Sequence, residues 1–134
     1  MPTAPCPAVA GMPRVLLRLE GAALFALATF LFWKTGTSWW LYAALILAPD
    51  LSFLGYLGGP RVGAVVYNAA HTLIGPAALA AAGFLLPSFD MIAVALIWIA
   101  HLGADRALGF GLKYSEGFGY THLGRLGRAA SLSP

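Results

Sequence analysis

The sequence predicts an all-α membrane protein: a bundle of four transmembrane helices with short loops and a Gly-rich cytoplasmic C-terminal segment. Of its 134 residues, 60% are hydrophobic and only 10% are charged, whereas soluble domains carry roughly 25% charged residues. The apolar residues form four long runs, each close to the about 20 residues that a helix needs to cross a bilayer. The predicted spans are residues 15–33, 39–56, 62–86 and 89–108.

The stretch before the first span, residues 1–13, is Pro-rich and has no periodicity, which predicts a disordered tail. Its Cys6 is the only cysteine, so one chain has no internal disulfide and no cysteine metal site. The first apolar run follows basic residues, as in a signal peptide, but it carries Glu20 and no small-x-small cleavage site follows it. We therefore expect it to remain as the first helix of a domain covering residues 14–108.

The breaks between the runs contain residues typical of turns. They are Lys34-Thr35-Gly36-Thr37, Gly58-Gly59-Pro60-Arg61 and Pro87-Ser88. Because all three connections are short, consecutive helices are expected to run antiparallel.

The distribution of basic residues predicts the orientation, since Lys and Arg are enriched in cytoplasmic loops. In a four-span arrangement, seven basic residues fall on one side and Lys34 alone on the other. The seven are Arg14, Arg18, Arg61, Arg106, Lys113, Arg125 and Arg128. Both termini are therefore expected on the cytoplasmic side of a bacterial inner membrane. Trp33, Trp39 and Trp40 then lie at the outer interface, where such rings anchor helix ends.

The C-terminal segment, residues 109–134, changes composition to glycines interleaved with aromatic and basic residues. So many glycines disfavour a stable helix. We expect an irregular cytoplasmic segment lying against the inner membrane face or over the helix ends.

Every predicted span carries strongly polar residues, which are costly in lipid and are expected to face the protein interior. Counting from the cytoplasmic helix ends at the helical rise of about 1.5 Å per residue places them in one layer of the inner leaflet, at depths of about 5 to 11 Å or slightly more. They are Glu20, Asp50, Asn68, His71, His101 and Asp105. The similar depths are informative because consecutive helices run in opposite directions, so unrelated polar positions would fall at unrelated depths.

The spacings within the helices also indicate that these polar residues lie close together, since residues three or four apart share a helix face. His101 and Asp105 form a His-x-x-x-Asp pair, and Asp50 and His71 come from the two preceding spans. Two imidazoles and two carboxylates are enough donors for zinc or another divalent metal. A metal with an open coordination position could activate water for hydrolysis.

Other interpretations of these residues stay open. The same side chains are compatible with a hydrogen-bonded network that only holds helices together, or with a pathway for protons or small solutes. Glu20 has Arg18 nearby as an alternative ion-pair partner. Arg61 could contact a lipid phosphate or be an ordinary loop charge, and Asn68 could join the site or hydrogen-bond a neighbouring helix. His122 could add a ligand or a general base or be solvated.

Several strings together resemble a family of small bacterial membrane proteins known only as a domain of unknown function, family 4260. The match covers most of the chain after Arg14. The strings are Pro49-Asp50-Leu51-Ser52 through Gly55-Tyr56, Gly59-Pro60-Arg61-Val62-Gly63, Tyr67-Asn68-Ala69-Ala70-His71-Thr72, His101-Leu102-Gly103-Ala104-Asp105-Arg106, Gly109 to Tyr114, and Thr121-His122-Leu123-Gly124-Arg125. The resemblance implies a four-span bacterial inner-membrane protein and implies no activity.

A looser similarity is to integral membrane metal-dependent hydrolases, which combine aspartates and histidines from several helices. This chain lacks their His-x-x-x-His pair, because position 105 is aspartate. Whether the chain is an enzyme is therefore left open. Membrane lipid is the expected partner, a homo-oligomer is a further option, and no nucleic-acid binding is expected.

Overall fold

The computed structural model describes residues 9–110, 112, 120–121 and 124–125. It contains five α-helices and one 3-10 helix, followed by two very short strands. In chain order they are α1 (Gly11–Lys34), α2 (Trp39–Leu45), a 3-10 segment (Ala48–Gly58), α3 (Pro60–His71), α4 (Ile74–Leu85), α5 (Phe89–Leu108), β1 (Tyr120–Thr121) and β2 (Gly124–Arg125). The two strands pair antiparallel.

The predicted number of long apolar helical stretches is confirmed. Four helical stretches are long and apolar enough to cross a membrane: Gly11–Lys34, Trp39–Gly58, Pro60–Leu85 and Phe89–Leu108. Many large apolar side chains on them are exposed, as expected for surfaces that face lipid rather than water. The first helix begins at Gly11, inside the stretch predicted as a tail. Most of the predicted C-terminal segment lies outside the described residues.

The second span is not one continuous α-helix, and Pro49 explains why. A proline has no N–H, and its ring clashes with the carbonyl four residues earlier, which here belongs to Leu45, the last residue of α2. Beyond the break the chain continues as a 3-10 helix, in which Asp50 N–H donates to the Leu47 carbonyl. The Ile46 carbonyl thus receives no bond from Pro49, which has no N–H, and none from Asp50.

The third span is also divided. α3 ends at His71, Thr72 has an extended backbone, and α4 begins at Ile74. Pro76 follows two residues into α4, and its ring is incompatible with a helical carbonyl at Thr72. The break leaves the Ala70 carbonyl near an end of α3, where it accepts a bond from the Trp98 indole N–H of α5 at 2.7 Å.

The last helix, α5, is central because it packs against α1, α4 and α2. Its contact with α1 is a close approach of two backbones at Gly21 and Gly103. A Cβ added at Gly103 would lie 2.5 Å from the Phe25 nitrogen, and one at Gly21 would lie 2.9 Å from the Gly103 carbonyl oxygen. Small residues at helix crossings permit this approach in membrane bundles, and here the crossing holds the part of α5 that carries His101 and Asp105.

At the other end of the bundle, aromatic rings fill the space between α1 and α2. Phe32 is fully buried and packs edge-on against Trp39 at 5.2 Å between ring centroids. The Thr29 and Tyr42 hydroxyls share a hydrogen bond at 2.7 Å. The predicted metal ligands Asp50, His71, His101 and Asp105 are not part of this aromatic packing.

Candidate metal centre

Four side chains from three membrane-spanning stretches meet at one point. Asp50 lies in the 3-10 segment, His71 is the last residue of α3, and His101 and Asp105 lie one turn apart on α5. We call these four residues the His/Asp cluster. They are the four residues that the sequence predicted as metal ligands, and one ligating atom from each lies within 4.8 Å of all the others.

The distances within the His/Asp cluster are short and similar. The two Nε2 atoms of His71 and His101 are 3.1 Å apart. Asp50 Oδ1 lies 3.5 Å from His71 Nε2 and 3.3 Å from His101 Nε2. Asp105 Oδ2 lies 3.4 Å from His71 Nε2 and 3.2 Å from His101 Nε2.

These distances match the spacing of ligands around one metal ion. Zinc binds histidine nitrogen and carboxylate oxygen at about 2.0 to 2.2 Å, so neighbouring ligands of a tetrahedral site are separated by about 3.3 to 3.6 Å. The five separations above run from 3.1 to 3.5 Å. The sixth separation, between the two carboxylates, is within 4.8 Å, so five of the six pairs have the spacing of neighbouring ligands around one ion.

Both imidazoles are fixed by backbone carbonyls on their outer side. His101 Nδ1 lies 2.6 Å from the Ile46 carbonyl oxygen, and His71 Nδ1 lies 2.9 Å from the Tyr67 carbonyl oxygen. A carbonyl only accepts, so each Nδ1 donates a proton to its carbonyl, and in the neutral form of each ring the Nε2 that faces the cluster is an acceptor. Metal-ligating histidines are commonly held in this way by a second partner.

Burial is unequal across the site. The two histidine side chains are 4% exposed, while those of Asp105 and Asp50 are 19% and 33% exposed. Asp50 therefore lies at the open edge of the site, and the histidines lie at its closed side.

The sequence did not single out Tyr67, although its spacing of four residues from His71 was visible. The Tyr67 ring stacks on the His71 ring with centroids 3.7 Å apart and planes 10° apart, and the Phe53 ring stacks on Tyr67 with centroids 5.2 Å apart. This stack, together with the Tyr67 carbonyl, fixes the His71 ring. The role of the Ile46 carbonyl was not predicted either, and its one sequence signal is the proline at position 49.

The prediction that Glu20 faces the interior with the other polar residues is wrong. Its side chain is exposed on α1, because the neighbouring Gly21 is the residue that contacts α5 and consecutive helical residues point about 100° apart. Arg18, suggested as its ion-pair partner, instead donates from Nε to the Ala107 carbonyl at 2.9 Å. Arg61 is exposed in the first turn of α3.

Two further predicted candidates remain. Asn68 is half-buried on α3, one turn before His71. His122 lies outside the described residues. Asn68 is not one of the four residues that converge.

The fold and the site define a class: a polytopic membrane protein with a buried cluster of histidines and aspartates between its helices. The chain belongs to the family described as domain of unknown function DUF4260, whose model matches residues 14–126, and this confirms the resemblance. No curated protein and no solved structure matches the chain.

Proposed function

We propose that this chain is a membrane metalloprotein that binds one divalent cation through the His/Asp cluster. The observation that carries the proposal is chemical. With each Nδ1 proton bound to a carbonyl, the Nε2 atom of a neutral ring is an acceptor, and the two carboxylates are acceptors as well. When both rings are neutral, four acceptors lie next to one another with no donor among them, and a cation or a proton between them is needed to offset their repulsion.

The charge balance favours a divalent cation. Two carboxylates and two neutral imidazoles carry a charge of −2, which one M²⁺ ion neutralises in a setting where net charge is costly. Protons are a poorer substitute. One proton on a histidine Nε2 serves one or two acceptors and leaves a net negative charge, whereas protons on both Nε2 atoms would face each other across 3.1 Å.

The donor set indicates a first-row transition metal such as zinc. Imidazole nitrogen suits Zn, Fe and Ni, whereas Mg²⁺ and Ca²⁺ prefer oxygen ligands alone. For a zinc ion held by all four groups, binding of water would require expansion to five ligands, as catalytic zinc sites do in the transition state, and the more exposed Asp50 marks the side from which water and substrate would arrive. Hydrolysis by metal-activated water is the reaction that this arrangement supports best.

The first experiment is a measurement of bound metal. The full chain is purified in detergent without added chelator, exposed to micromolar Zn²⁺, Mn²⁺ or Fe²⁺, desalted and assayed by elemental analysis. We expect close to one equivalent in the wild type and in Asp90→Asn, a matched control at an exposed acid on α5, and a large loss in His101→Gln and Asp50→Ala.

Absence of metal from the intact protein, together with loss of stability in both cluster variants, would instead favour a network that only joins helices. A proton or solute pathway makes a different prediction: flux through liposomes that stops in Asp105→Asn while the protein binds no metal. The two assays thus separate the three classes.

We also propose that the chain lies in a bacterial inner membrane with both termini in the cytoplasm. The distribution of basic residues supports this orientation. A membrane-impermeant maleimide should label the single native cysteine, Cys6, in inverted vesicles but not in spheroplasts. A Cys6→Ser/Thr37→Cys variant, whose cysteine lies in the loop between α1 and α2, should show the reverse pattern, and identical labelling of both would refute the topology.

A further inference from the structure

An apolar cavity lies beside the His/Asp cluster, between the α2–3-10 junction and α5. Its volume is about 220 Å³. The lining residues are Leu45, Ala48, Pro49, Val94, Ile97 and Trp98. An enclosed apolar cavity of about 150 Å³ in a soluble protein binds benzene, so this larger, partly open cavity has room for a hydrocarbon group, and its lining is almost wholly apolar.

The cavity shares its walls with the metal ligands. Pro49 is bonded to Asp50 through a peptide bond, and Ile97 lies one helical turn before His101 on α5. A third link runs through the backbone, since Leu45 precedes Ile46, whose carbonyl accepts the His101 Nδ1 proton. A molecule seated in the cavity would therefore lie next to the metal.

The polar cluster and the apolar cavity lie at different depths in the membrane, in the same order as the head group and the alkyl chain of a lipid. α5 ends at Leu108, so with about 1.5 Å per residue His101 lies about 10 Å and Asp105 about 5 Å from this end. Ile97 and Val94 lie about 16 and 21 Å from it, near the middle of a hydrocarbon layer about 30 Å thick. The polar site is thus closer to the membrane surface and the apolar cavity is deeper.

We propose that the cavity holds the alkyl chain of an amphiphilic ligand whose oxygen-bearing head group binds the metal. The inference rests on the proposed metal site and names its substrate class: a single-chain amphiphile with a carboxylate, ester or related head group. An alkyl chain is already in an apolar medium in the bilayer, so the cavity adds selectivity through close packing, while the head group supplies the main attraction through the metal.

The test uses two hydroxamates, which bind metals through oxygen and differ in chain length. The full chain is loaded with Co²⁺ in nanodiscs, and binding of acetohydroxamate and octanohydroxamate is followed through the visible spectrum of the metal. Val94→Phe fills the cavity seven residues away from His101. Val65→Phe is the matched control, because Val65 is exposed on the lipid-facing side of α3.

We expect Val94→Phe to weaken octanohydroxamate binding about tenfold, which corresponds to about 1.4 kcal/mol, and to leave acetohydroxamate binding and the Co²⁺ spectrum unchanged. Val65→Phe should change neither, which removes partitioning into the bilayer as an explanation. If Val94→Phe does not fold, Val94→Ala, which enlarges the cavity, should shift the preference toward a longer chain.

The possible failures are distinct. Equal binding of octanohydroxamate by the wild type and Val94→Phe, or an unchanged chain preference in Val94→Ala, would overturn the cavity proposal while the metal site stands. A chain that takes up no Co²⁺ would overturn both.

Discussion

Replacing Asp105 by asparagine should have opposite effects on the metal-free and metal-bound protein. The carboxylate oxygen lies 3.2 Å from His101 Nε2 and 3.4 Å from His71 Nε2. Asparagine has nearly the same shape but offers an N–H₂ donor and no charge. In the metal-free protein it would give the acceptor-only cluster a donor within hydrogen-bonding distance. In the metal-bound protein it would remove one anionic ligand.

The magnitudes follow from those two roles. One new buried hydrogen bond contributes about 0.5 to 1.5 kcal/mol, so the chelated variant should be as stable as the chelated wild type or more stable by that amount. Metal at one hundred times its Kd stabilises the wild type by about 2.7 kcal/mol. A hundredfold weaker Kd in the variant would reduce this, at the same metal concentration, to about 0.4 kcal/mol.

Thermal unfolding of both proteins in detergent, each with excess EDTA and with Zn²⁺, measures all four states. Asp90→Asn repeats the amide substitution at an exposed position of α5 and should behave as the wild type in both conditions. Destabilisation of the chelated protein by Asp105→Asn, with the gain from metal intact, would refute this role of Asp105, because the carboxylate would then be accepting protons from its neighbours instead of binding a cation.

Two further predictions concern the support of the site and its protons. Gly103→Ala places a Cβ 2.5 Å from the Phe25 nitrogen, and overpacking of this kind costs about 1 to 3 kcal/mol of stability. Thermal unfolding should show that loss of stability, and calorimetry should show a weaker metal affinity. The control Ala81→Val, on the exposed side of α4, should show neither effect. Metal and protons compete for the Nε2 atoms of both histidines, so the metal affinity measured by calorimetry should decrease as the buffer is made more acidic. An affinity that does not change with pH would contradict histidine ligands.

Much of the fold could be predicted because hydrophobic length alone defines a membrane span. The last span, residues 89–108, agrees with α5 at both ends, since a serine cap and Gly109 in a left-handed conformation delimit it. The sequence predicted the second and third spans, but it did not predict that each is divided into two helical segments. An apolar run predicts that a segment lies in lipid. The position of a break in the helix depends on a proline and on which neighbouring group donates a hydrogen bond to the carbonyl that the break leaves without its helical partner.

The candidate metal centre could also be predicted only in part. The His-x-x-x-Asp spacing on α5 follows from helical periodicity, and alternating helix directions bring Asp50 and His71 to a similar depth. The depth of a residue in the membrane does not determine, however, which face of its helix the residue lies on. Glu20 lies at a depth similar to the others but is exposed on α1, because the contact between two glycines determines which face of that helix meets α5, and a single sequence does not show that pairing.

The broken helices explain how a small bundle can hold a rigid polar site. In a continuous α-helix the Ile46 carbonyl would bond to the N–H four residues later, and it would not be free to accept from His101. Pro49 and the 3-10 geometry release it, and the same segment delivers Asp50 to the cluster. One irregularity thus supplies both a ligand and the group that orients a second ligand. Irregular backbone inside a membrane persists where its polar groups find partners within the protein, and here those partners are the side chains that build the candidate metal centre.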